Sequence, residues 1–120
     1  MSLIRDILLD IEALETPSSK VYFLEGADQT FFNHNMELML DKGLIEAKRW
    51  DTYQSKNFAM VRLTWEGADF LDAVRDPEVW RKTQEGVKAV GSFSFDLMKA
   101  LAKGFVQKQI EKQTGIDLKI

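Results

Sequence analysis

An α+β, mostly helical fold is what this sequence predicts, built as a winged helix-turn-helix with a two- or three-stranded wing sheet and a helical C-terminal extension. Two observations predict it. The run Arg62-Leu63-Thr64-Trp65-Glu66-Gly67-Ala68-Asp69-Phe70-Leu71 reads as a strand that stops at Thr64 and turns at once into an amphipathic helix. Upstream, Leu40-Asp41-Lys42-Gly43-Leu44-Ile45-Glu46-Ala47 reads as a helix end closed by glycine and followed by a short strand. Together they give the order helix, hairpin, helix. The expected organisation is a winged-helix core over residues 1–75 and a helical extension over 76–120, joined in one continuous domain.

The first helix is expected from Leu3, Ile7, Ile11 and Leu14 at helical spacing, with Ile4 and Leu8 widening the stripe. Ser2 can cap its start, and Pro17, which disfavours a helical Thr16, should end it near Glu15. Val21-Tyr22-Phe23-Leu24 is a short β-prone run, the candidate third strand, and Glu25-Gly26 turns the chain.

Asp28 can cap a second helix that runs to about Lys42, with Phe32, Met36, Met39 and Leu40 as its apolar positions and Phe31 and Leu38 flanking them. Gly43 suits a left-handed position after the last turn, and Leu44 can fold back on it. Ile45 to Trp50 and Phe58 to Leu63 then read as paired strands around a polar tip, Asp51 to Asn57. Alternation puts Phe58, Met60 and Arg62 on one face and Ala59, Val61 and Leu63 on the other. The second face is the expected core, because it leaves Arg62 in water.

Thr64 should cap the third helix, with Glu66 in its first turn where the helix dipole favours an acid and Ala68, Leu71 and Val74 buried. Asp76-Pro77-Glu78 restarts the chain with a cap, a proline at the first helical position and an acid. Val79, Thr83, Val87 and Val90 mark the expected face of this fourth helix. Gly91-Ser92 breaks it, and Ser92 or Ser94 can cap a fifth, where Met98, Leu101, Ala102, Phe105 and Gln109 follow one face. Lys99, Lys103, Lys108 and Lys112 follow another, and Gly115 ends the helix.

Parts of this chain resemble a bacterial and prophage family classed as a domain of unknown function. The stretch from Arg62 to Trp80, with its Leu-Thr-Trp-Glu-Gly and Arg-Asp-Pro-Glu-Val-Trp segments, carries most of the likeness. Leu3 to Leu9 is similar to the family's opening helix, Gly43 to Ala47 to its helix-to-strand joint, and Phe93 to Lys99 to the start of its closing helix. The resemblance implies a winged-helix fold and a phage or mobile-element setting. It brings no catalytic residues to carry over.

Composition narrows the function classes. The chain has 120 residues, 45% of them hydrophobic, enough for one core and against disorder. With no cysteine, disulfides and thiolate zinc sites are excluded. No apolar run reaches bilayer length, and Met1-Ser2-Leu3-Ile4-Arg5-Asp6 lacks the basic lead of a signal peptide, so no membrane role and a cytoplasmic location are expected. One histidine, no glycine-rich phosphate loop and no paired-carboxylate motif argue against an enzyme. No cofactor is expected.

Binding is the remaining class. Gln29, Thr30, Asn33 and His34 form the candidate reading face of the second helix, and amides suit adenine edges. Lys48, Arg49, Lys56 and Arg62 on the wing could hold phosphates of double-stranded DNA, with Trp50 beside them as a partner contact. Trp65 and Trp80 are expected in the core or at an interface. Charge opposes the DNA reading: residues 1–60 carry six Lys/Arg against ten Asp/Glu, and the reading helix has no arginine. His34, Glu37 and Asp41 can share one helix face, but lone histidines are far more often surface residues than metal ligands, so no metal is assigned. Two functions are therefore expected in order: a DNA-binding, transcription-regulating protein of phage or mobile-element origin, then a winged helix turned to protein binding, such as an inhibitor of a host nucleic-acid-handling or defence protein. The lysine-bearing terminal helix is expected to pack on the core or to make a homodimer.

Overall fold

A computed structural model describes residues 2–14, 20–53, 55–91 and 94–115. Among them are five helices and one two-stranded antiparallel sheet: α1 (Ser2–Glu12), α2 (Gln29–Lys42), β1 (Ile45–Asp51), β2 (Lys56–Leu63), α3 (Trp65–Val74), α4 (Pro77–Val90) and α5 (Phe95–Thr114). The chain divides into two compact units, residues 1–71 and 72–120, with α3 running across the division.

In the first unit, α1 buries Ile4, Ile7, Leu8 and Ile11. It ends at Glu12, earlier than expected, and Leu14 leaves the buried stripe. Pro17 and the loop around it lie outside the described residues, as do Ser92 as a cap and Phe93. The run Val21 to Leu24 is not a third strand; it touches the sheet through Tyr22 N–H donating to the Phe58 carbonyl at 2.7 Å. The Tyr22 hydroxyl also donates to Asp10 Oδ2 at 2.6 Å, which ties this segment to α1.

Helix α2 starts and stops where the sequence signals. The Asp28 carboxylate accepts from Phe31 N–H, and Gly43 ends the helix in the left-handed region at φ 78°. Leu44 N–H then returns to the Met39 carbonyl at 2.9 Å. Phe32, Met36 and Met39 are buried, and the Phe32 ring packs against Tyr22, Phe23 and Phe58 with centroids 4.7–6.3 Å apart.

The hairpin departs from the expected alternation. Glu46 pairs with Arg62 and Lys48 with Ala59, so Ala47 stands opposite both Met60 and Val61. That is a β-bulge, and Met60 adopts φ 53° within it. A non-glycine residue there costs on the order of 1–2 kcal/mol. The extra residue breaks the period of two, so Phe58, Ala59 and Val61 are all buried while Met60 is exposed. Phe58 is thus a core residue rather than a partner of Arg62 on the solvent face. The tip is also shorter than expected, because pairing runs out to Asp51 and Lys56.

The two ends of the hairpin are fastened together. Thr64 N–H donates to the Leu44 carbonyl at 3.0 Å, and Thr64 Oγ1 donates to the Gly43 carbonyl while accepting from Gly67 N–H. The helix N-cap and the exit from α2 share one threonine. Gly67 is the residue that lets them meet, because a Cβ there would lie 1.8 Å from Leu44 O.

In the second unit, the Asp76 carboxylate caps α4 through Glu78 and Val79 N–H groups, and Ser94 caps α5 through Leu97 N–H. Val79, Trp80, Thr83 and Val87 form the buried face of α4. Val90, expected on that face, is exposed, and Trp80 is buried. Met98 and Ala102 are fully buried on α5, and its glycine stop, Gly115, has φ 72°.

Candidate interaction face

Of the expected site residues, Arg49 and Lys56 are brought to α2 through Glu37, while Lys48 and Trp50 lie on the other face of the hairpin. Gln29, Thr30 and His34 are exposed on α2, and Asn33 is half-buried. Gln29 Nε2 donates to Asn33 Oδ1 at 2.9 Å, so the two amides hold each other. Asn35 is buried instead, with Nδ2 donating to the Phe31 carbonyl at 2.7 Å. Phe31 itself is 65% exposed, which the hydrophobic pattern did not signal.

The cations of the hairpin part company. Residues paired across a strand share a face, so Arg49 with Phe58 and Asp51 with Lys56 look the same way. That way is toward α2. Glu37 Oε1 accepts from both Lys56 Nζ at 2.5 Å and Arg49 Nη2 at 3.3 Å. The Arg49 guanidinium also meets Asp51 and lies 5.3 Å over the Phe58 ring. Arg62 is paired with Glu46. Lys48 lies one residue from Arg49 and so on the opposite face; among the described residues it has no ion-pair partner. Trp50, opposite Asn57, is 46% exposed.

The Lys56 ammonium, and then the Arg49 guanidinium, hold the Glu37 carboxyl below its ordinary value of 4.5. A carboxylate whose pKa is depressed in the fold contributes stability above its unfolded pKa and loses it as pH falls through the folded one. The urea midpoint of the wild type should therefore exceed that of Glu37→Gln at neutral pH, and the gap should close below about pH 4. A gap unchanged down to pH 3 would mean that the pairs contribute nothing. Burial, reinforced by the bond to Asp10, pushes the Tyr22 phenol up from its ordinary value.

A groove of about 210 Å³ lies between the start of α2, the segment from Val21 to Phe23, and the start of β2. Phe23 and Phe32 give it an apolar wall, while Gln29, Asn33, Lys56 and Asn57 supply amides and one ammonium. This groove joins helix and hairpin residues in one concavity. Among the described residues no group of three or more His, Asp or Glu side chains could hold a metal ion, and no helix is long and apolar enough to cross a membrane. Trp80 is buried, as expected of a core residue, whereas Trp65 is 87% exposed at the first position of α3.

Comparison with known proteins agrees with the resemblance at the level of family. The profile of a family described as "Hypothetical protein (DUF2513)" matches residues 1–94. An uncharacterized protein of Haemophilus influenzae is 26% identical over 111 residues, covering 90% of this chain and 94% of its own length. No solved structure matches the chain at a significant level.

Proposed function

We propose, on the premise that this chain belongs to the DUF2513 family, that it is a winged-helix protein acting by binding rather than catalysis, and that its α2–hairpin face docks on a protein surface. The order α1, α2, hairpin, α3, with the exit from α2 fastened to the start of α3, supports the winged-helix reading. One observation carries the choice of partner: Glu37 of α2 takes up Arg49 and Lys56, the two hairpin cations nearest the helix. Duplex binding draws most of its strength from cations facing phosphates, and these cations are already neutralised. What α2 and the hairpin tip expose instead includes Phe31 and Tyr53, and aromatic side chains are enriched at protein interfaces. The prophage setting implied by the resemblance directs the search to host nucleic-acid-handling or defence proteins.

A second reading, a DNA-binding transcription regulator, is favoured by the groove that gathers Gln29, Asn33, Lys56 and Asn57. Amides there suit base edges, and Lys48 remains to meet a phosphate. The two readings separate by salt. In fluorescence anisotropy with a mixed-sequence duplex, the protein-docking reading expects no binding that steepens as salt is lowered. For Glu37→Gln, which frees Arg49 and Lys56, weak salt-dependent binding should appear. Wild-type binding that falls steeply with salt would overturn the docking reading and favour the regulator. Light scattering tests the proposed homodimer, which would weigh twice the 13.8 kDa of one chain.

A further inference from the structure

The second unit holds an opening unlike the first. A groove of about 540 Å³ runs between α4 and α5, with Val79 and Phe105 toward its floor and Lys82, Lys108 and Lys112 around it. Each helix places its apolar residue one turn before a lysine, Val79 before Lys82 and Phe105 before Lys108, a spacing that puts them on one face. Val79 is buried and Phe105 half-buried. Lys82, Lys108 and Lys112 have no ion-pair partner among the described residues. Glu78, the one carboxylate lining the groove, is engaged by Arg81, whose Nε donates to Oε2 at 3.0 Å while Nη2 donates to Oε1. Arg81 is shared with Glu85, and the Lys82 ammonium also acts on Glu78, so this one carboxylate faces two cations of its own helix. Arg49, Lys56 and Arg62 of the hairpin each sit in an ion pair; among the described residues these three lysines do not.

We propose that this groove binds an acidic peptide segment with an apolar anchor, presented by a protein partner. Three ammonium groups against one carboxylate around a concave, low-dielectric wall concentrate positive potential and select an anionic occupant. The volume lies within the range of about 300–1,000 Å³ typical of ligand clefts. An apolar floor separates a peptide from a nucleic-acid backbone, which offers phosphates and sugars but no apolar side chain for Val79 and Phe105 to cover. Carboxylates of the segment pair with Lys82, Lys108 and Lys112, and its anchor lies between the helices. All of the groove's lining residues belong to the second unit.

Anisotropy of a short, labelled glutamate–leucine peptide titrated with the full chain tests this. Affinity should fall at least about tenfold in Lys82→Glu/Lys108→Glu/Lys112→Glu, and should be unchanged in Lys88→Glu, which alters charge outside the groove. A glutamine-for-glutamate peptide and a serine-for-leucine peptide should each bind more weakly than the parent. Circular dichroism of each variant checks that these exposed changes leave the helices intact. The proposal is overturned by no binding of the parent peptide, by equal binding of the glutamine peptide, or by a DNA duplex that binds the same lysines as tightly.

Discussion

Gly67→Ala is expected to destabilise the first unit by about 3 kcal/mol or more, at the upper end of the cost of overpacking a core. The added methyl would sit 1.8 Å from Leu44 O and 2.8 Å from Leu44 C, which are backbone atoms rather than the end of a side chain. Leu44 cannot move aside freely, because its carbonyl accepts from Thr64 N–H and its own N–H is bonded to Met39. Relief of the clash would cost at least one of these bonds. Natural domains have only about 5–15 kcal/mol in hand, so the thermal midpoint should fall by ten degrees or more at roughly 4–8 °C per kcal/mol. Gly104→Ala is the matching control, since a Cβ there meets nothing within 4 Å and alanine favours a helix. If the two variants melt together, the close approach at Leu44 is not real.

Phe32→Ala should cost about 3–5 kcal/mol, the range for deleting a buried aromatic ring. Phe32 is 1% exposed and packs on Tyr22, Phe23 and Phe58, so its loss unseats α2, the segment before it and β2 together. Its neighbour in sequence gives the contrast. Phe31 is 65% exposed, and Phe31→Ala should change stability by no more than about 0.5 kcal/mol while weakening the docking proposed for the first unit. Urea denaturation followed by tryptophan fluorescence would separate the two; similar midpoints would contradict the packing described for α2.

That pair of phenylalanines shows what the sequence makes legible. Positions that answer to local chemistry were readable: Asp28 and Asp76 as caps, Ser94 as one of two candidate caps, Gly43 and Gly115 as stops, and the strand-to-helix turn at Thr64. The bulge was not, because nothing in Ala59-Met60-Val61 favours positive φ; the surrounding pairing imposes it, and it moves Phe58 into the core. Val21 to Leu24 has strand composition, but among the described residues its backbone bonds to the hairpin once, through Tyr22. Of the candidate site, the residue types were readable and their partners were not. Glu37 lies 12 residues from Arg49 and 19 from Lys56, so the neutralisation of both depends on how α2 lies over the hairpin, which no spacing rule conveys.

The fastening of Thr64 to Gly43 and Leu44 makes the hairpin a closed excursion, pinned where it leaves the core and where it returns. Length added between Thr52 and Ser55, which are already bonded to each other across the tip, need not disturb that closure. A flexible loop costs only about 0.6 kcal/mol for each doubling of its length. The tip is therefore the part of this chain where new sequence, and with it a new partner, can be acquired while the helices beneath keep their arrangement.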